Sequence, residues 1–329
     1  MATNRESDPK DISEQAPSHL LSGWRFKAMI ATVILSVIGY FLFTLWGGWN
    51  DVIYAIQRVG WKGNLVALSL SLTNYFLRFS RWSMFLRTLR YHLPFWSNLR
   101  IYMAGFSLTT TPGKAGEALR SVFLHDYGVP YRQSFGAFLS ERLSDLLAVV
   151  LITLAGLWLY PDVHLVVLGV IAIIILILSA VQNDRWLKWI EKKFTEKFPG
   201  RFAHALEFGI ETVIAFRSCF KPRVLCYGTI LGILAWCAEG LAFYYILGLL
   251  GIHISLLMAQ FIYAFSLVIG AISILPGGLG GAEVTMLQML LINGAPLSSA
   301  VAATIVIRLT TLWFSVAIGL LCLPKFRSR

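Results

Sequence analysis

A Pro-Gly break set in an apolar run occurs twice in this chain, and it limits the folds that the chain can adopt. The two copies are Pro112-Gly113-Lys114-Ala115-Gly116-Glu117 and Pro276-Gly277-Gly278-Leu279-Gly280-Gly281-Ala282-Glu283. Proline removes a helix hydrogen bond and glycine accepts left-handed backbone, so each break should end one helix before a second begins. We predict helix breaks at Pro112, Gly113, Pro276, Gly277, Gly278, Gly280 and Gly281.

The residues that follow each break also come in the same order. A short helical segment leads to a Gly-x-Pro turn, and a long apolar segment with an arginine follows. This arginine stands 12 residues after the turn proline in both copies: Pro130 and Arg142, Pro296 and Arg308. We predict an internal repeat with units of about residues 61–160 and 222–323.

Composition indicates that the solvent of this chain is a lipid bilayer. Hydrophobic residues make up 57% of the 329 positions, charged residues make up 14%, and the mean hydropathy is +0.68. We predict an all-α polytopic membrane protein. The net charge of +11 is explained by Lys and Arg in cytoplasmic loops, so no nucleic acid partner is expected. The four cysteines lack metal-ligand spacing, and neither a metal nor a cofactor is expected.

The polar and basic segments divide the chain. Residues 1–22 read as a disordered cytoplasmic tail, 23–323 as a single membrane domain and 324–329 as a basic cytoplasmic tail. Within the membrane domain, the segment 182–221 is basic and has apolar residues every three or four positions, which predicts amphipathic helices on the cytoplasmic face.

Two pairs of segments flank the breaks. In the first pair, Leu99–Thr111 is too short to span a bilayer and Ala115–Tyr127 is too polar to face lipid; the corresponding pair in the second unit is Leu256–Leu275 with Ala282–Ile292. We predict that each pair is a re-entrant helical hairpin. The opening helix of the first unit runs inward and that of the second runs outward, so the repeats should be inverted, as in alternating-access carriers.

Charged residues inside the apolar segments are candidates for function. A charge at the bilayer centre costs roughly 2.5–3.5 kcal/mol, so it should be paired or functional. In one interpretation Lys114, Arg120, Arg142 and Arg308 hold a phosphate while nearby carboxylates tune them or bind a proton or an amine. In the other, Arg142 pairs with Glu141 or Asp145 to join helices, and Arg78, Arg81 and Arg120 extend to the cytoplasmic headgroups.

The two breaks, together with Glu141-Arg142-Leu143-Ser144-Asp145, resemble the transmembrane region of lysylphosphatidylglycerol synthases, a flippase-like family. The resemblance covers about residues 24–324. It implies a bacterial inner-membrane protein with spanning and re-entrant helices that moves a lipid between leaflets. The implied cavity residues are Lys114, Glu117, Arg120, Glu141, Arg142, Asp145, Glu283 and Arg308. Lysyl transfer is not carried over, because we expect no aminoacyltransferase domain in this sequence.

We therefore expect a lipid flippase with both termini in the cytoplasm, and no catalytic residue is assigned. The partner is a membrane lipid: an anionic or aminoacylated phospholipid, or an isoprenoid-linked lipid. A homo-oligomer is left open. One alternative is a membrane enzyme acting on a lipid phosphate, with Glu141 or Asp145 as base and Arg142 as charge stabiliser. Another is a scaffold for lipid or envelope polysaccharide synthesis that binds its partner through the basic segment.

Overall fold

The computed structural model describes residues 31, 34, 38–39, 49–111, 117, 119–157, 164–182, 201–273 and 275–323. Over these residues the chain forms helices and no strand, which confirms the all-α prediction. The helices are α1 (Trp49–Thr88), α2 (Phe95–Gly105), α3 (Arg120–His125), α4 (Tyr131–Gly156), α5 (His164–Gln182), α6 (Arg201–Cys219), α7 (Pro222–Leu249), α8 (Leu256–Ile272), α9 (Gly281–Ile292), α10 (Leu297–Arg308) and α11 (Phe314–Cys322). Single 3-10 turns form at Phe106–Leu108 and Pro276–Gly278, and a π-helical turn joins α10 to α11 at Leu309–Trp313.

Several sequence predictions fall outside the described residues. They are the tail 1–22, most of residues 23–48 at the start of the predicted membrane domain, the helix-break residues Pro112 and Gly113, Lys114, residues 183–200 of the amphipathic segment, and the tail 324–329. The part of the amphipathic segment that is described contains helix α6, and its buried residues Ala215 and Phe216 are next to α4. The domain boundaries remain predictions.

The Gly-x-Pro turn has the same geometry in both copies. Gly128 ends the helical turn after α3 with a φ of 76°, and Gly294 ends α9 with a φ of 81°. The next residue donates its N–H five residues back, from Val129 to the Leu124 carbonyl at 3.2 Å and from Ala295 to the Leu290 carbonyl at 3.0 Å. This is the Schellman pattern, in which a left-handed glycine satisfies the last carbonyls of a helix.

Proline then starts the next helix in each copy. Pro130 precedes α4 with a φ of −60° and a ψ of 147°, and Pro296 precedes α10 with a φ of −59° and a ψ of 142°. The pyrrolidine ring fixes φ and the missing N–H costs no helical hydrogen bond at this position. Similar sequence punctuation therefore produces the same helix-turn-helix geometry twice.

The bundle is apolar on its outside and charged inside. Leu165 is 83% exposed and Leu321 is 85% exposed, whereas Arg81 and Glu141 are completely buried. Within the described part of the chain, two helical stretches are long and apolar enough to cross a membrane, Pro222–Leu249 with 28 residues and Leu297–Cys322 with 26. This distribution fits lipid as the solvent, because exposed leucine costs nothing there while an exposed charge is expensive.

Helices α1 and α7 pack along each other at the centre of the bundle. The Asn74 side-chain amide donates to the Ala235 carbonyl at 2.8 Å, across a sequence separation of 161 residues. The same interval separates the left-handed residues Arg90 and Gly251, which follow α1 and α7. A contact between repeat-equivalent residues is what a two-fold relation between the units would produce. The inverted orientation and the re-entrant insertion remain predictions.

Candidate functional site

A cavity of about 310 Å³ lies between the central helices and the second Pro-Gly break. Its charged lining residues are Arg78 from α1, Arg142 and Asp145 from α4, Glu239 from α7 and Arg308 from α10. Tyr75, Trp236 and Tyr263 add aromatic walls, and Thr109, Gly277 and Gly278 bring in the backbone at the two breaks. The lining thus places charges of both signs in a space bounded by apolar helices.

Glu141 is the centre of the larger ionic network, which we call the first cluster (Arg78, Arg81, Glu117, Arg120, Glu141, Arg142 and Asp145). Its carboxylate is 2.8 Å from Arg120, 2.9 Å from Arg142 and 3.5 Å from Arg78. The Tyr102 hydroxyl donates to it at 2.7 Å. Buried ion pairs are tolerated only when each charge has partners, and Glu141 supplies the counter-charge for three arginines.

Asp145 supplies the second carboxylate of the first cluster and faces the cavity. It is 3.2 Å from both Arg78 and Arg142, and it also pairs with Arg81. The Trp236 indole N–H donates to it at 3.1 Å. Asp145 therefore ties α4 to α1 and α7, the two helices that meet at the centre of the bundle.

Glu117 lies at the end of the first break and completes the first cluster. It accepts a hydrogen bond from the Thr109 hydroxyl at 3.0 Å, and it is 3.3 Å from both Arg120 and Arg142. The four arginines of the cluster thus face three carboxylates. The buried Nε atom of Arg142 forms no hydrogen bond with the residues described, whereas its Nη2 atom lies 2.9–3.3 Å from the carboxylates of Glu117, Glu141 and Asp145. An anion near Arg142 would balance the extra positive charge and accept a hydrogen bond from Nε.

Arg308 holds the opposite wall and contacts the second break directly. Its Nε donates to Glu283 at 2.6 Å, and its Nη2 donates to the Gly277 carbonyl at 3.1 Å. The other Glu283 oxygen accepts the backbone N–H of Gly280 at 2.7 Å, in a capping interaction at the start of α9. Glu283 thus links the cation of the cavity wall to the backbone of the break.

The π-helical turn that follows Arg308 belongs to this wall. The hydroxyls of Thr310 and Thr311 donate to helix carbonyls at Val306 and Ile307, over 2.7–3.1 Å. The Tyr75 hydroxyl donates to the Thr311 carbonyl. A π-turn widens the helix and changes which carbonyls are bonded, and such turns occur frequently at functional sites.

The two walls repeat one ionic arrangement. The carboxylate after the break pairs with the arginine 25 residues later, as Glu117 with Arg142 and as Glu283 with Arg308. Glu239, which also lines the cavity, accepts a hydrogen bond from the Tyr263 hydroxyl at 2.6 Å. Because the same motif is used twice, two guanidinium groups face one cavity from different helices.

The structure separates the predicted site residues into two groups. Arg142, Asp145 and Arg308 line the cavity. Behind them are buried residues that pair with the lining or with one another: Glu117, Arg120, Glu141 and Glu283. Lys114 lies outside the described residues.

The interpretation that Arg78, Arg81 and Arg120 extend to the headgroups is wrong. All three are buried, and Arg120 lies over the rings of Trp82 and Tyr102, 4.4 and 4.8 Å from their centroids. The pairing of Arg142 with Glu141 and Asp145 is present, and it coexists with a place in the cavity wall.

Sequence reasoning left Arg78 and Glu239 out of the site. Both stand out as charges inside apolar segments, but neither lies near a break. They are 161 residues apart, which is the interval that separates Asn74 from Ala235. The repeat therefore contained the signal that could have found them, since they occupy equivalent positions on α1 and α7.

Known proteins similar to this chain are membrane proteins. A family model described as the transmembrane region of lysylphosphatidylglycerol synthase matches residues 28–319. A UPF0104 membrane protein from Pyrococcus horikoshii is 24% identical over 90% of this chain and 96% of its own length. A UPF0104 membrane protein from Methanothermobacter thermautotrophicus is 28% identical over 70% of this chain and 74% of its own length. The chain belongs to the family of the lysylphosphatidylglycerol synthase transmembrane region.

Proposed function

We propose that this protein moves a phosphate-bearing lipid between the two leaflets of the membrane, with the headgroup held in the cavity between Arg142 and Arg308. The observation that carries the proposal is the repeated carboxylate–arginine pair, which brings one guanidinium from each unit to the same cavity. Arginine presents several donors in a fixed plane and suits phosphate oxygens.

The barrier to lipid translocation comes from the headgroup, because the tails can stay in the bilayer. An ionised group costs several kcal/mol in hydrocarbon, and a polar cavity lowers that cost by replacing water with fixed charges and hydrogen-bond donors. The cavity volume of about 310 Å³ lies at the lower end of the range for small-molecule sites. A phosphate with a small substituent fits it better than a large glycan.

Access from the two sides would alternate by movement of the units against each other. The second break lies against the residues that precede the first break, since a methyl group placed on Gly277 would lie 3.2 Å from the Thr110 Cα. With inverted units and re-entrant hairpins, a rocking motion would open one break while the other closes. We place the protein in the cytoplasmic membrane with both termini inside. The similar proteins are archaeal, and this placement holds equally for a bacterial inner membrane.

The family name connects this fold with an aminoacylated phospholipid, and we extend the candidate substrates to anionic phospholipids and isoprenoid-phosphate-linked lipids. The enzyme alternative is weaker. Glu141 is not part of the cavity lining and is paired with three arginines, while Asp145 lines the cavity and is also paired with arginines. Neither carboxylate is arranged to take a proton from a substrate.

Translocation of fluorescent phosphatidylglycerol in vesicles containing the purified protein tests the proposal. The wild-type protein should bring the inner-leaflet probe to the outer leaflet, where an external quencher reaches it. Arg142→Ala and Arg308→Ala should each lower the rate of this translocation by about ten- to a hundredfold. That is the loss expected for one charged hydrogen-bonding partner.

Arg132→Ala is the matched control. Arg132 also lies in α4 and pairs with a carboxylate, that of Glu211, but it is not part of the cavity lining. This variant should translocate at the wild-type rate. Normal translocation by both cavity variants, with the fold intact by gel filtration, would exclude the cavity as the lipid path.

A further inference from the structure

The second break is held closed by the same arginine that we assign to the substrate. Arg308 donates to the Gly277 carbonyl at 3.1 Å and to Glu283 at 2.6 Å, and Glu283 accepts the Gly280 N–H at 2.7 Å. We call this group of residues (Gly277, Gly280, Glu283 and Arg308) the latch. A ligand that takes the Arg308 donors competes directly with the bonds that fix the break.

The backbone of the second break has left-handed angles at three glycines. Gly277, Gly278 and Gly280 have φ angles of 63°, 70° and 89°, a region that side chains with a Cβ rarely adopt. Gly278 also sits against Gly270 of α8, where a Cβ on Gly278 would be 3.3 Å from the Gly270 backbone. Glycine at these positions permits both the observed closed turn and its rotation to other backbone angles.

A second observation at the same place is a buried hydroxyl that has no hydrogen-bond partner among the described residues. Thr110, at the first break, has a completely buried side chain, and its hydroxyl forms no hydrogen bond within the described part of the chain. It lies against Gly277, whose added methyl group would be 3.5 Å from the Thr110 Cγ2. Buried hydroxyls nearly always have a partner, so this contact leaves a polar group that a moved break could satisfy.

We propose that a phosphate headgroup opens the second break by exchange: its oxygens replace the Glu283 carboxylate and the Gly277 carbonyl on Arg308. This inference rests on the function proposed above and adds how binding is coupled to movement. The exchange conserves charge at Arg308, because one anion leaves the guanidinium as another arrives. The freed Glu283 keeps the Gly280 N–H and stays with α9, while the segment between Gly277 and Gly280 moves away from α10.

The latch also stabilises the closed arrangement when no substrate is bound. Without substrate, the arginine has an internal anion, so the cavity can be dry without an uncompensated charge. The first break has a related connection through Thr109, Glu117 and Arg142. Substrate that takes the Arg308 donors would release the second break, and Glu283 would restore it when the lipid leaves.

Maleimide labelling of a cysteine at Leu279 measures the opening of the second break. Leu279 lies between Gly278 and Gly280 and is half-buried in the closed structure. The four native cysteines are first replaced, and translocation by this background is verified. Soluble dihexanoyl phosphatidylglycerol should raise the labelling rate of the Leu279→Cys protein by about tenfold, the effect of losing one charge-assisted bond.

The Glu283→Gln variant separates the latch from a simple binding residue. The glutamine side chain can still accept the Gly280 N–H, but it no longer neutralises Arg308. Labelling should be fast without lipid, and dihexanoyl phosphatidylglycerol should bind about tenfold more tightly because its internal competitor is weakened. Glu211→Gln removes a carboxylate from the Arg132 ion pair outside the cavity, and should leave both readouts unchanged.

Inorganic phosphate distinguishes the headgroup from the whole lipid as the trigger. Faster labelling with inorganic phosphate, or with the lipid alone, supports the exchange, since phosphate is the shared chemistry. Lipid translocation at the normal rate with no change in labelling by either probe would overturn the latch and leave the proposed function standing. Absence of both translocation and lipid binding would instead count against the proposed function itself.

Discussion

Glu141 joins several of the charged residues in the interior of the bundle. It is completely buried, and three arginines and the Tyr102 hydroxyl converge on it. Its role follows from charge balance, since the four arginines of the first cluster, of which Arg78, Arg81 and Arg120 are buried and Arg142 is partly exposed, share three carboxylates. Removing one carboxylate leaves guanidinium charge without compensation in a medium of low dielectric constant.

We expect Glu141→Gln to destabilise the protein by about 3–5 kcal/mol, the usual cost of breaking a buried ion pair. Glutamine preserves the volume and can still accept the Tyr102 hydrogen bond, so the loss isolates the charge. Thermal or denaturant unfolding in detergent micelles measures it.

The matched control is again Glu211→Gln, whose carboxylate is about one-third exposed in its pair with Arg132. It should cost less than about 1 kcal/mol. The double variant Glu141→Gln/Arg120→Gln should recover part of the loss, because it removes one charge of each sign. Equal stability of Glu141→Gln and wild type would mean that the first cluster does not hold a balanced set of charges.

Between elements, a close backbone approach joins α11 to the 3-10 turn that follows α2. A methyl group on Gly319 would lie 2.7 Å from the Phe106 carbonyl carbon and 2.9 Å from the Ser107 Cα. These are backbone atoms of the 3-10 turn Phe106–Leu108, so they cannot rotate aside as a side chain would. The glycine therefore sets the distance between α11 and the arm that leads to the first break.

Gly319→Ala should destabilise the protein by about 1–3 kcal/mol through overpacking. Gly169→Ala is its control, because Gly169 lies in α5 and a methyl group there meets nothing within 4 Å. The control should be neutral or stabilising by up to about 1 kcal/mol, the helix propensity gained by alanine. Unfolding of both variants in the same micelles gives the comparison, and an equal response would contradict the close approach.

Element boundaries were largely predictable from punctuation. Proline and glycine fix the turns at Pro130 and Pro296, and the structure has helices beginning after both. The π-helical turn at Leu309–Trp313 was not predicted. The residues at these positions have no sequence pattern that predicts a π-turn. The turn is held by the hydroxyls of Thr310 and Thr311 and by Tyr75, which belongs to a helix distant in sequence.

At the scale of the whole molecule, the repeat predicts a definite topology. His92 and His253 are separated by the repeat interval of 161 residues, and both are exposed in the loops that follow α1 and α7. Inverted units place these equivalent loops on opposite sides of the membrane. Parallel units would place them on the same side.

Single cysteines at His92 and His253, in the cysteine-free background, test this topology. We expect a membrane-impermeant maleimide to label His253→Cys in intact cells and His92→Cys only in inverted vesicles. Labelling after detergent lysis is the control that both sites are reactive. Reaction of both cysteines from the same side would exclude inverted repeats, whatever the outcome of the transport assays.

The sequence alone determined the solvent, the helix punctuation and the repeat. These properties depend on composition and on residues close in sequence, so apolar runs, proline and glycine suffice to predict them. The sequence also showed that Arg142 and Arg308 occupy equivalent positions in the two units. Each stands 12 residues after its turn proline, so the equivalence can be seen without the structure.

Only the tertiary structure decided which charges meet. Arg78 donates to Asp145 across a sequence separation of 67 residues, and Asn74 donates to Ala235 across 161 residues. Local sequence preferences carry no information about contacts between residues so far apart in the chain. Arg78 and Glu239 line the cavity because of the way in which α1 and α7 pack against each other. Ionic pairing inside a bilayer is set by three-dimensional neighbours, because each buried charge must find a counter-charge wherever packing brings one within reach.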